Sequence, residues 1–178
     1  MKKIHLIFAL LFTASAAIAI SWTPNSASVK FYIKNTGVTV DGTLSGLKAT
    51  VSFDPNDLAN SKIYASVNVN TIKTGIQKRD NHLLQPEYFN AAKHPKIVMT
   101  STAFSSKGGN NYNGTFNVSI KGKTKSVKVP FTFTETNGKG KFAGSFKVDR
   151  LDYGVGESSW MLGDDVTVKI SLTSTKKD

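Results

Sequence analysis

Apolar and polar residues alternate with a period of two along this chain, which leaves little but β-structure open to it. Ile63, Ala65, Val67 and Val69 alternate with Tyr64, Ser66, Asn68 and Asn70. Val127, Val129, Phe131 and Phe133 alternate with Lys128, Pro130, Thr132 and Thr134, and Val166, Val168, Ile170 and Leu172 with Thr167, Lys169, Ser171 and Thr173. Shorter runs put Phe31 with Ile33, Val51 with Phe53, Ile97 with Met99, Phe116 with Val118, and Phe146 with Val148 on common faces. Successive side chains of a strand point to opposite faces, so this pattern marks one buried and one wetted face.

The punctuation between runs agrees. Asp41-Gly42, Gly108-Gly109, Asn113-Gly114 and Asn137-Gly138 read as tight turns, and Asp54-Pro55-Asn56-Asp57 as a longer one. Pro130 inside a run predicts an edge or a bulge. About eight to nine antiparallel strands result, which means a sandwich or a barrel. Periodicity does not choose between them: bulky phenylalanines would fill a sandwich core or line an eight-stranded barrel, whose interior holds side chains or one slim ligand.

Met1–Ala19 reads as a secretory leader. Lys2 and Lys3 precede an apolar run, and Ala17-Ile18-Ala19 is a small-x-small cleavage site, so the mature domain is expected over residues 20–178 and a periplasmic or secreted location with it. The chain has no cysteine, so its stability has to come from a hydrophobic core. Loss of Lys2 and Lys3 lowers the formal charge from +11 to +9. Nearly all of that charge is scattered lysine. Arginine forks are the usual readers of phosphate and bases, and only Arg79 and Arg150 exist, so no nucleic-acid partner is expected. Anionic lipid headgroups remain a candidate for transient surface contact. The polar set on one face of each strand and the short turns argue against an outer-membrane barrel with its outward apolar band.

One stretch breaks the alternation. Thr74 to Phe89 brings Arg79, Asp80, His82, Tyr88 and Phe89 into a helix-or-loop insertion, and Arg79–Lys93, interrupted by Pro86, is the only segment suited to a helix. Arg79 and His82 suit a quinone carbonyl, an amide or a phosphate; the plainer role is to pin the insertion to the rest of the fold. Arg150 and Asp152 can close a strand end in the same way. Tyr153, Trp160 and Met161 can line an entrance or belong to the core. His82 and His94 are too far apart for a zinc motif, and no G-x-S-x-G elbow is present, so neither a metal site nor an enzyme is expected.

Three blocks resemble the YceI-like family. The first is Thr71-Ile72-Lys73-Thr74-Gly75, then Arg79-Asp80-Asn81-His82-Leu83, Tyr88-Phe89 and Lys93-His94-Pro95. The second is Gly122-Lys123-Thr124-Lys125-Ser126-Val127. The third is Arg150-Leu151-Asp152-Tyr153-Gly154-Val155-Gly156 with Leu162-Gly163-Asp164-Asp165-Val166. The resemblance runs from about Trp22 to Leu172. The chain departs from the family's pattern at His94, Gln85-Pro86 and Met99.

The resemblance implies an all-β, lipocalin-like antiparallel barrel of about eight strands with a short helical insertion. A long-chain lipid (polyisoprenoid, isoprenoid quinone or fatty-acid-derived amide) would thread its core, without catalysis and without a cofactor beyond that ligand. The expected lining is Phe31, Ile33, Val67, Val69, Met99, Phe116, Val118, Phe131, Phe133, Phe146 and Val148, with Arg79, Asp80, His82, Phe89, Tyr153 and Trp160 at the mouth. A barrel packed shut, structural or stress-protective, is the alternative. A homodimer stays open.

Overall fold

The computed structural model describes residues 20–177; the expected leader lies outside the described residues. Nine antiparallel strands follow in order: β1 (Ser21–Asn35), β2 (Val38–Leu44), β3 (Lys48–Ser52), β4 (Lys62–Asn68), β5 (Lys96–Gly108), β6 (Asn111–Ile120), β7 (Lys123–Thr136), β8 (Lys139–Asp149) and β9 (Asp165–Lys176). Each pairs with its sequence neighbour except β2 and β3, and β1 pairs with β9, so the sheet closes. β1 meets β3 at Ser21 and Trp22 and β2 from Val29 to Asn35. β2 and β3 thus share one position beside β1, and the closed ring is an eight-stranded barrel. Closure leaves little sheet edge to cover, and the interior takes one face of every strand.

β2 was hidden in the sequence because Asp41-Gly42 looks like a turn. Gly42 instead pairs with Phe31 in mid-strand. A Cβ there would lie 2.2 Å from the Phe31 ring, so glycine makes room for a ring laid across the neighbouring strand. Asn113-Gly114 errs for the same reason: Gly114 lies inside β6, where a Cβ would come within 2.4 Å of the Phe116 ring. Gly108-Gly109 and Asn137-Gly138 do sit at turns between paired strands. Pro130 lies just beyond the last β7–β8 pair, Phe131 with Gly144, where β7 is locally an edge.

The insertion between β4 and β5 opens with a 3-10 turn, Val69–Thr71, and continues into helix α1, Gln77–Leu83. The helix is shorter than the expected 79–93 segment. Leu84 and Gln85 donate to the Asn81 and His82 carbonyls, and the chain then turns before Pro86, which disfavours helix at the residue preceding it. Val69, expected in a strand and on the lining, is buried in the 3-10 turn with its N–H bonded to the Pro95 carbonyl at 2.9 Å. Lys73 exchanges two backbone hydrogen bonds with Thr43, at 2.8 and 2.9 Å, which ties the insertion to β2 and closes the side of the barrel that β2 and β4 leave unpaired.

Strand directions sort the loops. The insertion, the β1–β2 hairpin, the β6–β7 turn and the 150–164 segment gather at one end. The 54–61 turn and the turns after β5 and β7 gather at the other.

The interior divides along the same axis. The half near the 54–61 turn is closed by Trp22, Phe53, Tyr112, Phe131, Phe133 and Phe142. Phe53, with no exposed surface, is the hub: Phe104, Tyr112, Phe131, Phe133 and Phe142 meet it edge-on at 5.1–5.6 Å. Edge-to-face pairs add about 0.5–1.5 kcal/mol each beyond the area they bury. The Trp22 indole N–H donates to the Phe53 carbonyl at 2.8 Å, so this core leaves no polar orphan there.

Candidate functional site

The other half holds a cavity of about 340 Å³, near the lower end of the range for ligand pockets, about 300–1,000 Å³. β1, β2, β4, β5, β6, β8 and β9 supply a mainly aliphatic wall, and Leu83, Tyr88 and Phe89 of the insertion cover its end. Apart from its two tyrosines, its polar members are Asn35, Ser66, Thr74, Arg79, His82 and Arg150, and no carboxylate belongs to the wall.

Of the expected lining, Phe31, Ile33, Val67, Met99, Val118, Phe146 and Val148 stand on this wall, as do Arg79, His82, Phe89 and Tyr153. Phe131 and Phe133 do not: they belong to the closed aromatic half, so a chain cannot be threaded along the whole barrel. Phe116 is packed against Phe104 at 5.9 Å, between the halves, and is not on the wall. Val69 is turned into its own buried 3-10 turn, Asp80 is engaged inside the insertion, and Trp160 is 90% exposed. Sequence reasoning missed Val40 and Leu44 because β2 went unrecognised. It also passed over Val166, Val168 and Ile170 of β9, whose alternation was plain but whose neighbour β1 was not.

Arg79 and Asp80 are adjacent in sequence, yet both reach Thr74. The Arg79 Nε donates to the Thr74 hydroxyl at 2.7 Å and Nη2 to its carbonyl at 2.6 Å. The same hydroxyl donates to Asp80 Oδ1 at 2.6 Å, which also accepts the Thr74 N–H at 2.8 Å. This closed set explains the T-G-x-x-x-R-D spacing as the clasp of the insertion. Asp80 is consumed by it. Arg79 is not: among the described residues no carboxylate lies within 4.0 Å of its guanidinium, and Nη1 has no hydrogen bond. A cation so placed beside an apolar cavity can receive an anionic or carbonyl oxygen. His82 stands next to it, its Nε2 2.9 Å from Glu87 Oε1 and its ring edge-on to Tyr88 at 4.8 Å.

Arg150 looks like a second receptor but is saturated. Its Nε, Nη1 and Nη2 donate to the carbonyls of Gly163, Val155, Glu157 and Leu162, and Nη2 meets Asp164 Oδ1 at 2.8 Å. It is the knot that holds the 150–164 segment. Tyr153 is the opposite case. Its ring is 1% exposed on the cavity wall, and its hydroxyl has no hydrogen-bond partner among the described residues. Burial, and secondly the Asp152 charge, push the phenol up from its ordinary 10.0, so it stays neutral and able to donate.

The chain is similar to known proteins throughout this architecture. A family model described as the YceI-like domain matches residues 21–174. Protein YceI of Salmonella arizonae is 33% identical over 125 residues, 67% of this chain and 65% of that protein. A UPF0312 protein of Pectobacterium atrosepticum is 34% identical over 104 residues, 58% of this chain, and the match spans only 54% of that relative's length. Among solved structures, BcnA of Burkholderia cenocepacia superposes with a TM-score of 0.80 at 27% identity, over 84% of this chain and 96% of that one. A polyisoprenoid binding domain from Saccharophagus degradans, implicated in plant cell wall breakdown, shares the fold alone: TM-score 0.70 at 12% identity, over 90% of this chain and 100% of that one. With the family model spanning nearly the whole closed barrel, the chain belongs to the YceI-like family.

Proposed function

We propose that the protein is an exported, non-catalytic carrier that holds one long-chain lipid in the aliphatic half of its barrel. The ligand would be a polyisoprenoid, an isoprenoid quinone or a fatty-acid-derived amide. The observation that carries this reading is the cavity itself: a mainly apolar space of about 340 Å³ without a carboxylate on its wall, next to an arginine that has no acidic partner among the described residues. Each methylene moved from water into such a space contributes about 0.8 kcal/mol. A tail of some ten carbons therefore outweighs an association penalty of several kcal/mol. Arg79 and His82 are the receptors for a polar head, and the Tyr153 hydroxyl awaits a carbonyl or ether oxygen. The polyisoprenoid binding named for the Saccharophagus domain supports the ligand class, and the leader-like residues 1–19 support export.

The closed aromatic half limits the carrier to a blind pocket. The ligand enters tail first and keeps its head near Arg79, which favours a single slim chain. Mass spectrometry of an organic extract from protein secreted by a bacterial host tests this. A stoichiometric long-chain lipid, lost in Met99→Trp with the fold intact, is the expected result. Empty extracts from the wild type, repeated after incubation with a polyisoprenoid and a quinone, would leave a structural barrel and end the carrier reading.

A further inference from the structure

Four large apolar side chains stand out in water at the cavity end of the barrel. Trp160 is 90% exposed, Val38 66%, Ile76 53% and Met161 46%. Backbone bonds bring them together. The Met161 carbonyl accepts the Thr36 N–H at 2.6 Å, the Lys34 carbonyl accepts the Gly163 N–H at 2.8 Å, and Asn35 bridges Leu162. The loop bearing Trp160 and Met161 is thus laced to the hairpin tip bearing Val38, and both Asn35 and Leu162 are cavity wall. On the other side of β2, the antiparallel Thr43–Lys73 bridge sends the chain after Lys73 back along β2 towards its Val38 end, carrying Ile76 with it. Single exposed hydrophobes are ordinary; four of them gathered at one end, beside the cavity, mark an interaction surface.

The charge around them tells what that surface meets. Lys34, Lys73 and Lys78 are exposed on the same segments. Nearby acids are largely spoken for: Asp164 by Arg150, Asp80 by Thr74 and Glu87 by His82. Asp152 and Asp165 are paired with Lys125 and Lys147, and Asp41, Asp149 and Glu157 are left to oppose the lysines. An exposed tryptophan among aliphatic side chains, with lysines on the adjoining segments of a chain whose formal charge is +9 without the leader-like residues, is the chemistry of a membrane interface: the indole sits at headgroup depth and lysines meet anionic lipid.

We propose that this rim docks on an anionic lipid bilayer, with Trp160 as its inserted anchor, so that the cavity opens onto the membrane that supplies or receives its ligand. The purpose of the docking rests on the carrier reading above; the docking itself does not.

The chain carries its own reporter. It has two tryptophans, and Trp22 is 3% exposed in the opposite half, so a change in emission reports Trp160. The full chain would be titrated with vesicles of phosphatidylcholine mixed with phosphatidylglycerol, and with phosphatidylcholine alone. The mixed vesicles are expected to shift emission to the blue, to quench it when their acyl chains are brominated, and to lose both effects as salt is raised. Val38→Glu, which keeps the reporter, is expected to weaken vesicle binding about tenfold, and Trp160→Gln to reduce co-sedimentation to a similar extent.

An unshifted spectrum without co-sedimentation overturns the proposal. So does a blue shift that needs no vesicles and grows with protein concentration, since a second copy would then be the occupant. Lipid content measured on the same preparations separates the two readings. Docking by a protein that never retains lipid would sink the carrier, and retained lipid without docking would sink the rim.

Discussion

The two halves of this barrel use the same strands and opposite solutions. Near the 54–61 turn the inward positions are aromatic, and Phe53 fills the centre so completely that five rings close on it. Near the insertion the wall is mainly valine, isoleucine and leucine, and it encloses a cavity. Flat rings from opposite walls reach across a narrow barrel; branched aliphatics do not. Side-chain reach therefore decides where the fold is a packed core and where it is a container. The aromatic half can anchor the fold while the aliphatic half stays empty enough to bind.

The largest expected effect breaks that contrast from the packed side. Phe53→Ala removes the hub of the aromatic cluster and should cost about 3–5 kcal/mol, read as a drop in the urea midpoint. A loss as small as that of a wall residue would mean that the closed half is not the anchor. Arg150→Met comes next. It strips the carbonyls of Gly163, Val155, Glu157 and Leu162 of their donor, and should cost about 3 kcal/mol. Hydrogen exchange should show the loss concentrated in residues 150–164; uniform loosening would contradict its role as a local knot.

On the container side, Met99→Ala borders a space that is already empty and should cost under about 2 kcal/mol. Met99→Trp should leave the melting midpoint unchanged or higher while lipid recovery falls several-fold. Equal losses for Phe53→Ala and Met99→Ala would erase the distinction between the halves.

The smallest effect is the most specific. Tyr153→Phe removes a buried hydroxyl that has no partner and should stabilise the empty protein by about 1 kcal/mol, while weakening any ligand whose oxygen it meets. It should also flatten the alkaline limb of the stability profile. The folded phenol is raised above 10.0, so the folded chain keeps a proton that the unfolded chain has released. That contribution is complete below about pH 10 and is lost as pH rises through the folded value. An unchanged alkaline limb in the variant would show that another group titrates there.

Alternation made the strands legible, and with them the inward set, because the period of a strand is local. It failed where a ring and a glycine traded space: Gly42 and Gly114 read as turn residues until Phe31 and Phe116 are seen lying over them. The helix was placed but overextended, since Pro86 ends it from outside the turn it breaks. At the site, Arg79 and His82 were legible as exceptions to the pattern. Asp80 was not separable from Arg79, because both partners turned out to be the one residue Thr74. For Trp160 the sequence leaves both an entrance and a core position open; its loop is laced to the β1–β2 hairpin with its ring outside.

By itself the sequence determined that this chain is an all-β fold with one apolar and one polar face per strand and a charged insertion, because each of these is a matter of neighbours along the chain. Only the tertiary structure decided which inward residues meet and which stand apart. Phe131 and Met99 both read as lining. One faces Phe53 across the barrel and the other faces a void, and that depends on what the opposite wall sends to the same depth.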